Sequence, residues 1–176
     1  MIYAGFWRRL GALLVDSAIF LPLTLLDFFV FRQSRTLFVL STLLLTLVGW
    51  TYQVWMHARW GQTLGKMATG VRVVALDGSP ISWRQAFLRS SVTVGLGCLS
   101  AVSSIYGLLQ IPQADYPRMS FLEFGQRLGE KQLWPWLTWV QNIWLWSEVI
   151  VMLFNERKRS IHDFIARTVV VRTNAA

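Results

Sequence analysis

Two carboxylates in this chain stand where carboxylates are costly. Asp16 lies inside an apolar stretch that opens at Leu10, and Glu148 lies six residues before Phe154, at the end of another. A charged side chain within a membrane span costs about 2.5–3.5 kcal/mol on insertion scales, so it faces a protein interior or a wet cavity and has a partner. Arg9 precedes Asp16 by seven residues, a turn of only about 20° on a helix, so the two share one stripe, and Asp27 falls on the same stripe. Gln53 and His57, at i and i+4, point to a common side of a second span. At about 1.5 Å of rise per residue, Asp16 and Glu148 reach similar depths, so Arg9, Asp16, Gln53 and Glu148 can form one polar layer. Its chemistry has two readings. A desolvated carboxyl has a raised pKa and can exchange a proton or hold a small cation. Alternatively, the layer is a satisfied network that fixes how the helices pack, with Arg9 as the partner of Asp16. Glu148 has no basic residue in its own span, and Asp27, near Arg32, reads as an interfacial carboxylate.

Other residues that could do chemistry are less well supported. His162-Asp163 has the composition of a base and its orienter, but adjacent residues rarely face one another and no nucleophile accompanies them. Asp163 is expected to anchor the tail against basic groups of the central loop, such as Lys66 or Arg72, with Ser160 capping a short helix. Gly61, Gly65 and Gly70 suit tight backbone turns, and Gln62 and Lys66 could line a route into the protein. The single cysteine, Cys98, has no second thiol for a metal pair or disulfide. There is no glycine-rich phosphate loop and no nucleophile elbow. The chain is therefore read as a non-enzyme without cofactor or metal.

The elements that must position these residues follow from composition. Of 176 residues, 54% are hydrophobic and only 15% charged, against about 25% charged in a soluble globular average. Ten Trp and eleven Phe would overfill a soluble core of this size. Four stretches, about 10–31, 36–58, 90–111 and 133–154, reach the roughly 20 residues needed to span a bilayer. The first is too long for a signal-peptide core and is read as a retained helix. The fold class is thus an all-α membrane protein, a four-helix transmembrane bundle forming a single domain over 1–176.

Twelve of the seventeen Lys and Arg residues fall on one side of these spans, which places both termini in the cytoplasm. Trp7, Trp55, Trp60 and Trp83 would then mark the inner interface, and Trp134, Trp136 and Trp139 the outer one. Because the basic residues flank spans instead of forming one compact patch, the net charge of +8 points to lipid and topology, not to nucleic acid. Val71–Ala75 before Asp77-Gly78 reads as a strand and turn, and Thr168–Arg172 as a second strand that pairs with it beneath the membrane. Ser82-Trp83-Arg84-Gln85 has capping-box spacing. It starts an amphipathic lead into the third span, with Arg84 and Arg89 toward head groups. Ser120 to Glu123 repeats that spacing ahead of a short surface helix in the loop 112–132. No internal repeat is present, so a one-chain inverted-repeat transporter is not indicated.

Three separated motifs carry a resemblance. They are Arg9-x-x-Ala12-x-x-x-Asp16; Gly61-Gln62-Thr63-Leu64-Gly65-Lys66 with Gly70-Val71-Arg72-Val73-Val74; and Ser160-Ile161-His162-Asp163 with Ala166-Arg167-Thr168-Val169-Val170-Val171. Together they resemble the RDD family of small bacterial membrane proteins, whose arginine and two aspartates map onto Arg9, Asp16 and Asp163. The resemblance implies a bacterial inner-membrane location and makes Gln62, Gly65, Lys66, His162 and Asp163 motif residues. It also brings cation or proton transport into view, by an oligomer because four helices make a thin pathway. The alternative is a non-transporting accessory or assembly module that binds a membrane partner through its cytoplasmic face.

Overall fold

The computed structural model describes residues 1–27, 29 and 34–173. Four long helices dominate: α1 (Phe6–Leu26), α2 (Arg35–Trp60), α4 (Trp83–Leu109) and α6 (Leu137–Phe154), each long and apolar enough to cross a membrane. At most 22% of any apolar window is buried within the protein. Leu44, Leu47, Ile143 and Trp146 stand open on their surfaces. Water would not tolerate such faces, whereas hydrocarbon solvates them, so the bundle is built for lipid.

Element boundaries differ from expectation for local reasons. The first span begins earlier, at Phe6, while its expected end at Phe31 and the neighbouring Arg32 lie outside the described residues. The capped lead at Ser82 and the third span are one continuous helix. Ser82 Oγ accepts from Gln85 N at 3.2 Å, and the Gln85 side chain accepts from Ser82 N at 2.9 Å, completing the box. The fourth span starts at Leu137 instead of Leu133, because Pro135 drives the residue before it out of helical backbone.

Short elements gather at one end. Here α3 (Leu64–Ala68) leads into β1 (Val71–Ala75), and α7 (Ile161–Ile165) leads into β2 (Thr168–Arg172). The strands pair antiparallel, from Val71 opposite Arg172 to Ala75 opposite Thr168, as expected. A two-stranded ribbon is marginal alone, and the N-terminal residues reinforce its edge. Ala4 N donates to Val170 O and Arg172 N to Ile2 O, both at 2.9 Å. Ala4, Val71, Val73, Val170, Ile81 and Ala86 bury one apolar cluster that seats this sheet on the base of α4. At the opposite end α5 (Phe121–Glu130), capped by Ser120, covers a second cluster of Phe38, Leu108, Ile111, Tyr116, Met119 and Phe124. Arg35 ties it to α2, donating to Ile111 O at 2.6 Å and to the Tyr116 hydroxyl at 3.3 Å. Cys98 is exposed on α4.

Candidate functional site

At the sheet end, Asp163 joins the first, third and last parts of the chain. Its carboxylate, fully buried, accepts from Arg9 Nη1 at 2.8 Å and from Arg89 Nη1. Ser160 donates its backbone N at 3.1 Å and its hydroxyl at 3.0 Å, and Thr168 Oγ1 donates at 3.3 Å. Arg9 extends further, to Ala4 O at 3.2 Å and to Lys158 O. Burial alone would raise the Asp163 carboxyl, but Arg89, His162 and Arg9 together hold it well below the ordinary carboxylate range.

Three expectations are corrected here. Asp163 does anchor the tail to cations, but these are Arg9 and Arg89, not Lys66 or Arg72; Arg72 Nε donates instead to Trp60 O at 3.0 Å. Arg9 is not the partner of Asp16, because α7 offers it a carboxylate on the other side. Arg89 does not face head groups; it is only 7% exposed. Its buried neighbours Ala86 and Ser90, at i−3 and i+1, are small residues on a packing face. That pattern was the signal that could have identified it.

Asp16 has a different shell. Its carboxylate accepts from Tyr52 OH at 2.8 Å, Thr63 Oγ1 at 2.6 Å and Gly65 N at 2.8 Å. Tyr52 OH in turn accepts from Leu64 N at 2.9 Å. The carboxylate thus clips the start of α3 to α1 and α2 through neutral donors, and Tyr52 and Thr63 were not foreseen in this role. Gly65 permits it, since its backbone comes against Ala12 with no room for a side chain. Gln62 Nε2 donates to Val71 O at 2.9 Å, bracing the turn into β1. Asp27, at the far end of the stripe, accepts from Ser41 Oγ.

Glu148 finds its partner outside its own span. It accepts from the His162 backbone N at 3.0 Å and lies against His162 Nδ1. Arg89 Nη2 is 2.7 Å from His162 Nε2. A guanidinium cannot accept, so Nε2 is the acceptor and the ring proton sits on Nδ1, toward Glu148. Burial and then Arg89 lower the His162 pKa, favouring this neutral form.

All four residues of the expected polar layer, Arg9, Asp16, Gln53 and Glu148, line one cavity of about 690 Å³. His57, Lys66, Arg89 and His162 share the wall. Arg9 and Asp16 therefore face the same space without pairing. The cavity reaches residues 6–20 of α1, 45–57 of α2, 89–97 of α4 and 144–152 of α6, so it runs from the sheet end to just past the middle of the spans. Lys66 makes no ion pair among the described residues, and burial lowers its ammonium to about 8. His57 Nδ1 lies 2.6 Å from Gln53 O, so it donates, which leaves Nε2 an acceptor; that atom is buried with no partner among the described residues.

These shifts fix the sign of a pH response. The native state keeps His162 neutral, so the unfolded chain binds the extra proton below about pH 6.5. Thermal stability in detergent should fall as pH drops through that point. It should fall again below about pH 4, where unfolded Asp163 takes up a proton that the folded carboxylate refuses. His162→Gln should shrink the first decline to the share of His57, the other histidine, which is buried, and leave the second; melting curves across about pH 3–8 check both.

Four apolar helices around a buried polar junction define a membrane protein. The sequence profile of the RDD family matches residues 3–167, and the chain belongs to that family. An uncharacterized Bacillus subtilis (strain 168) protein, YckC, is 33% identical over 108 residues, which cover 56% of this chain and 69% of YckC. No solved structure matches the chain. Of Arg9, Asp16 and Asp163, the first and last are paired directly, and Asp16 holds α3.

Proposed function

We propose that this protein is a proton-handling transport component of the bacterial cytoplasmic membrane, with the sheet end and both termini in the cytoplasm. The observation that carries this reading is the Glu148–His162 pair, a carboxylate against a neutral imidazole on the wall of a cavity that reaches into the spans. Such a pair can take up a proton without creating an isolated charge. Protons suit the site better than a bound metal cation, because among the described residues no group of three His, Cys, Asp or Glu side chains is placed to hold one. The orientation rests on the basic residues around the sheet, among them Arg8, Arg59, Arg72, Arg84, Arg157 and Arg167. A route through the other half of the bilayer would come from a second copy or a membrane partner.

A second reading, a non-transporting accessory module that docks a partner through its sheet end, is favoured by a cavity that stops short of the far ends of the spans. Proton flux in proteoliposomes, under sodium, potassium and cation-free gradients, separates the two. Glu148→Gln should cut flux at least tenfold at unchanged melting temperature. Full flux in Glu148→Gln removes the site, and no flux in wild type under any gradient leaves the accessory reading.

A further inference from the structure

The cavity wall is divided chemically, and the division is independent of proton transfer. Toward the sheet stand three fixed or titratable cations, Arg9, Lys66 and Arg89, against two carboxylates, Asp16 and Glu148. Asp163, the counter-ion of both arginines, does not line the space. Both lining carboxylates are already occupied, Asp16 by Tyr52, Thr63 and Gly65, and Glu148 by His162. Among the described residues Lys66 has no ion-pair partner, and His57 Nε2, on a side chain only 2% exposed, is an acceptor with no donor. Deeper in the spans the wall is mostly apolar, with Phe20, Leu45, Val94 and Trp144 beside Thr46 and Thr93. Gly49 and Gly97 also lie on that wall, and a Cβ on either would meet nothing within 4 Å. The helices therefore leave space where side chains could have filled it.

We propose that this cavity binds a single-chain anionic amphiphile, with its acidic head group between Lys66 and His57 and its hydrocarbon chain along the apolar wall. Lys66 supplies charge and donors to a head-group oxygen, and His57 Nε2 accepts from a protonated oxygen of the same group. A monoprotonated phosphate monoester offers both partners at once, whereas a fully ionised carboxylate offers only the acceptor. A volume of about 690 Å³ lies within the roughly 300–1,000 Å³ of small-molecule sites and suits one chain, not a whole two-chain phospholipid. A bound anion also offsets the desolvation that lowers the Lys66 ammonium.

The test is titration of the purified full-length protein, in a non-ionic detergent, with dodecyl phosphate, dodecanoate, dodecanol and dodecyltrimethylammonium. Melting temperature and tryptophan fluorescence are followed, since Trp50 and Trp144 line the cavity. Dodecyl phosphate should bind saturably at one site per chain, at least tenfold tighter than the alcohol or the ammonium. Dodecanoate should fall between. Lys66→Gln should weaken dodecyl phosphate at least tenfold and leave dodecanol unchanged. Gly97→Leu, which fills the apolar wall without meeting a neighbour at Cβ, should weaken every ligand and preserve the fold should Lys66→Gln not survive purification. Equal affinity for the alcohol and the phosphate, or an unchanged dissociation constant in Gly97→Leu, overturns the assignment. Neither outcome depends on whether the protein moves protons.

Discussion

Asp163→Asn is expected to be the most destabilising single-atom change in this protein. The substitution keeps the shape of the side chain and removes the only carboxylate that pairs with Arg9 and Arg89 among the described residues. Removing one partner of a buried ion pair costs about 3–5 kcal/mol, because the other charge stays buried and uncompensated. Here two guanidiniums are stranded, and Arg89 is only 7% exposed. Such a loss is comparable to the whole stability of many proteins, about 5–15 kcal/mol. The melting temperature in detergent should drop by on the order of 10 °C. Adding Arg9→Met to Asp163→Asn should cost less than the sum of the two separate effects, since the first change has already ended the contact. A drop of under about 2 °C for Asp163→Asn would show that the junction does not hold the fold together.

Gly65→Ala should come second, through shape and not charge. A Cβ at this position would lie 2.0 Å from the carbonyl oxygen of Ala12 and 2.8 Å from Asp16 Cγ. The first obstacle is backbone, so no rotamer change relieves it. Either α1 or α3 must retreat, and with that shift Asp16 loses the 2.8 Å bond from Gly65 N. Overpacking costs about 1–3 kcal/mol where side chains can adjust, and more where they cannot. We expect a loss of at least about 3 kcal/mol. Gly97→Ala is the internal control: nothing lies within 4 Å of its would-be Cβ, and alanine favours a helix over glycine by up to about 1 kcal/mol. Thermal unfolding of the two variants should move in opposite directions.

The spans were legible because hydrocarbon imposes a length and a composition that few other environments demand. The strand pair was legible because Val71 to Ala75 and Thr168 to Arg172 are β-branched runs flanked by turn residues. Pairings among the charged groups were not. A helical stripe relates residues within one segment, and by that rule Arg9 belongs with Asp16. What decides the real partners is how α3 and α7 fold back on the bundle, and both are five-residue helices with little periodicity to read. Arg89 was misplaced for the same reason: an arginine near the end of a span has two places to go, into lipid head groups or under a tail. The choice was encoded partly in Asp163, 74 residues away. Nor does any single-residue pattern reveal that Tyr52 and Thr63 meet at Asp16, because they come from different elements.

Translation runs from Arg9 toward Asp163, which gives this junction an order in time. Arg9 and Arg89 leave the ribosome well before their shared counter-ion does, and until residue 163 emerges their charges remain with water and head groups at the bilayer edge. The spans can insert by then, but the bundle cannot close around bare guanidiniums. The last short helix thus acts as the clasp of assembly. A nascent chain stopped before Ser160 would lack the carboxylate that Arg9 and Arg89 share.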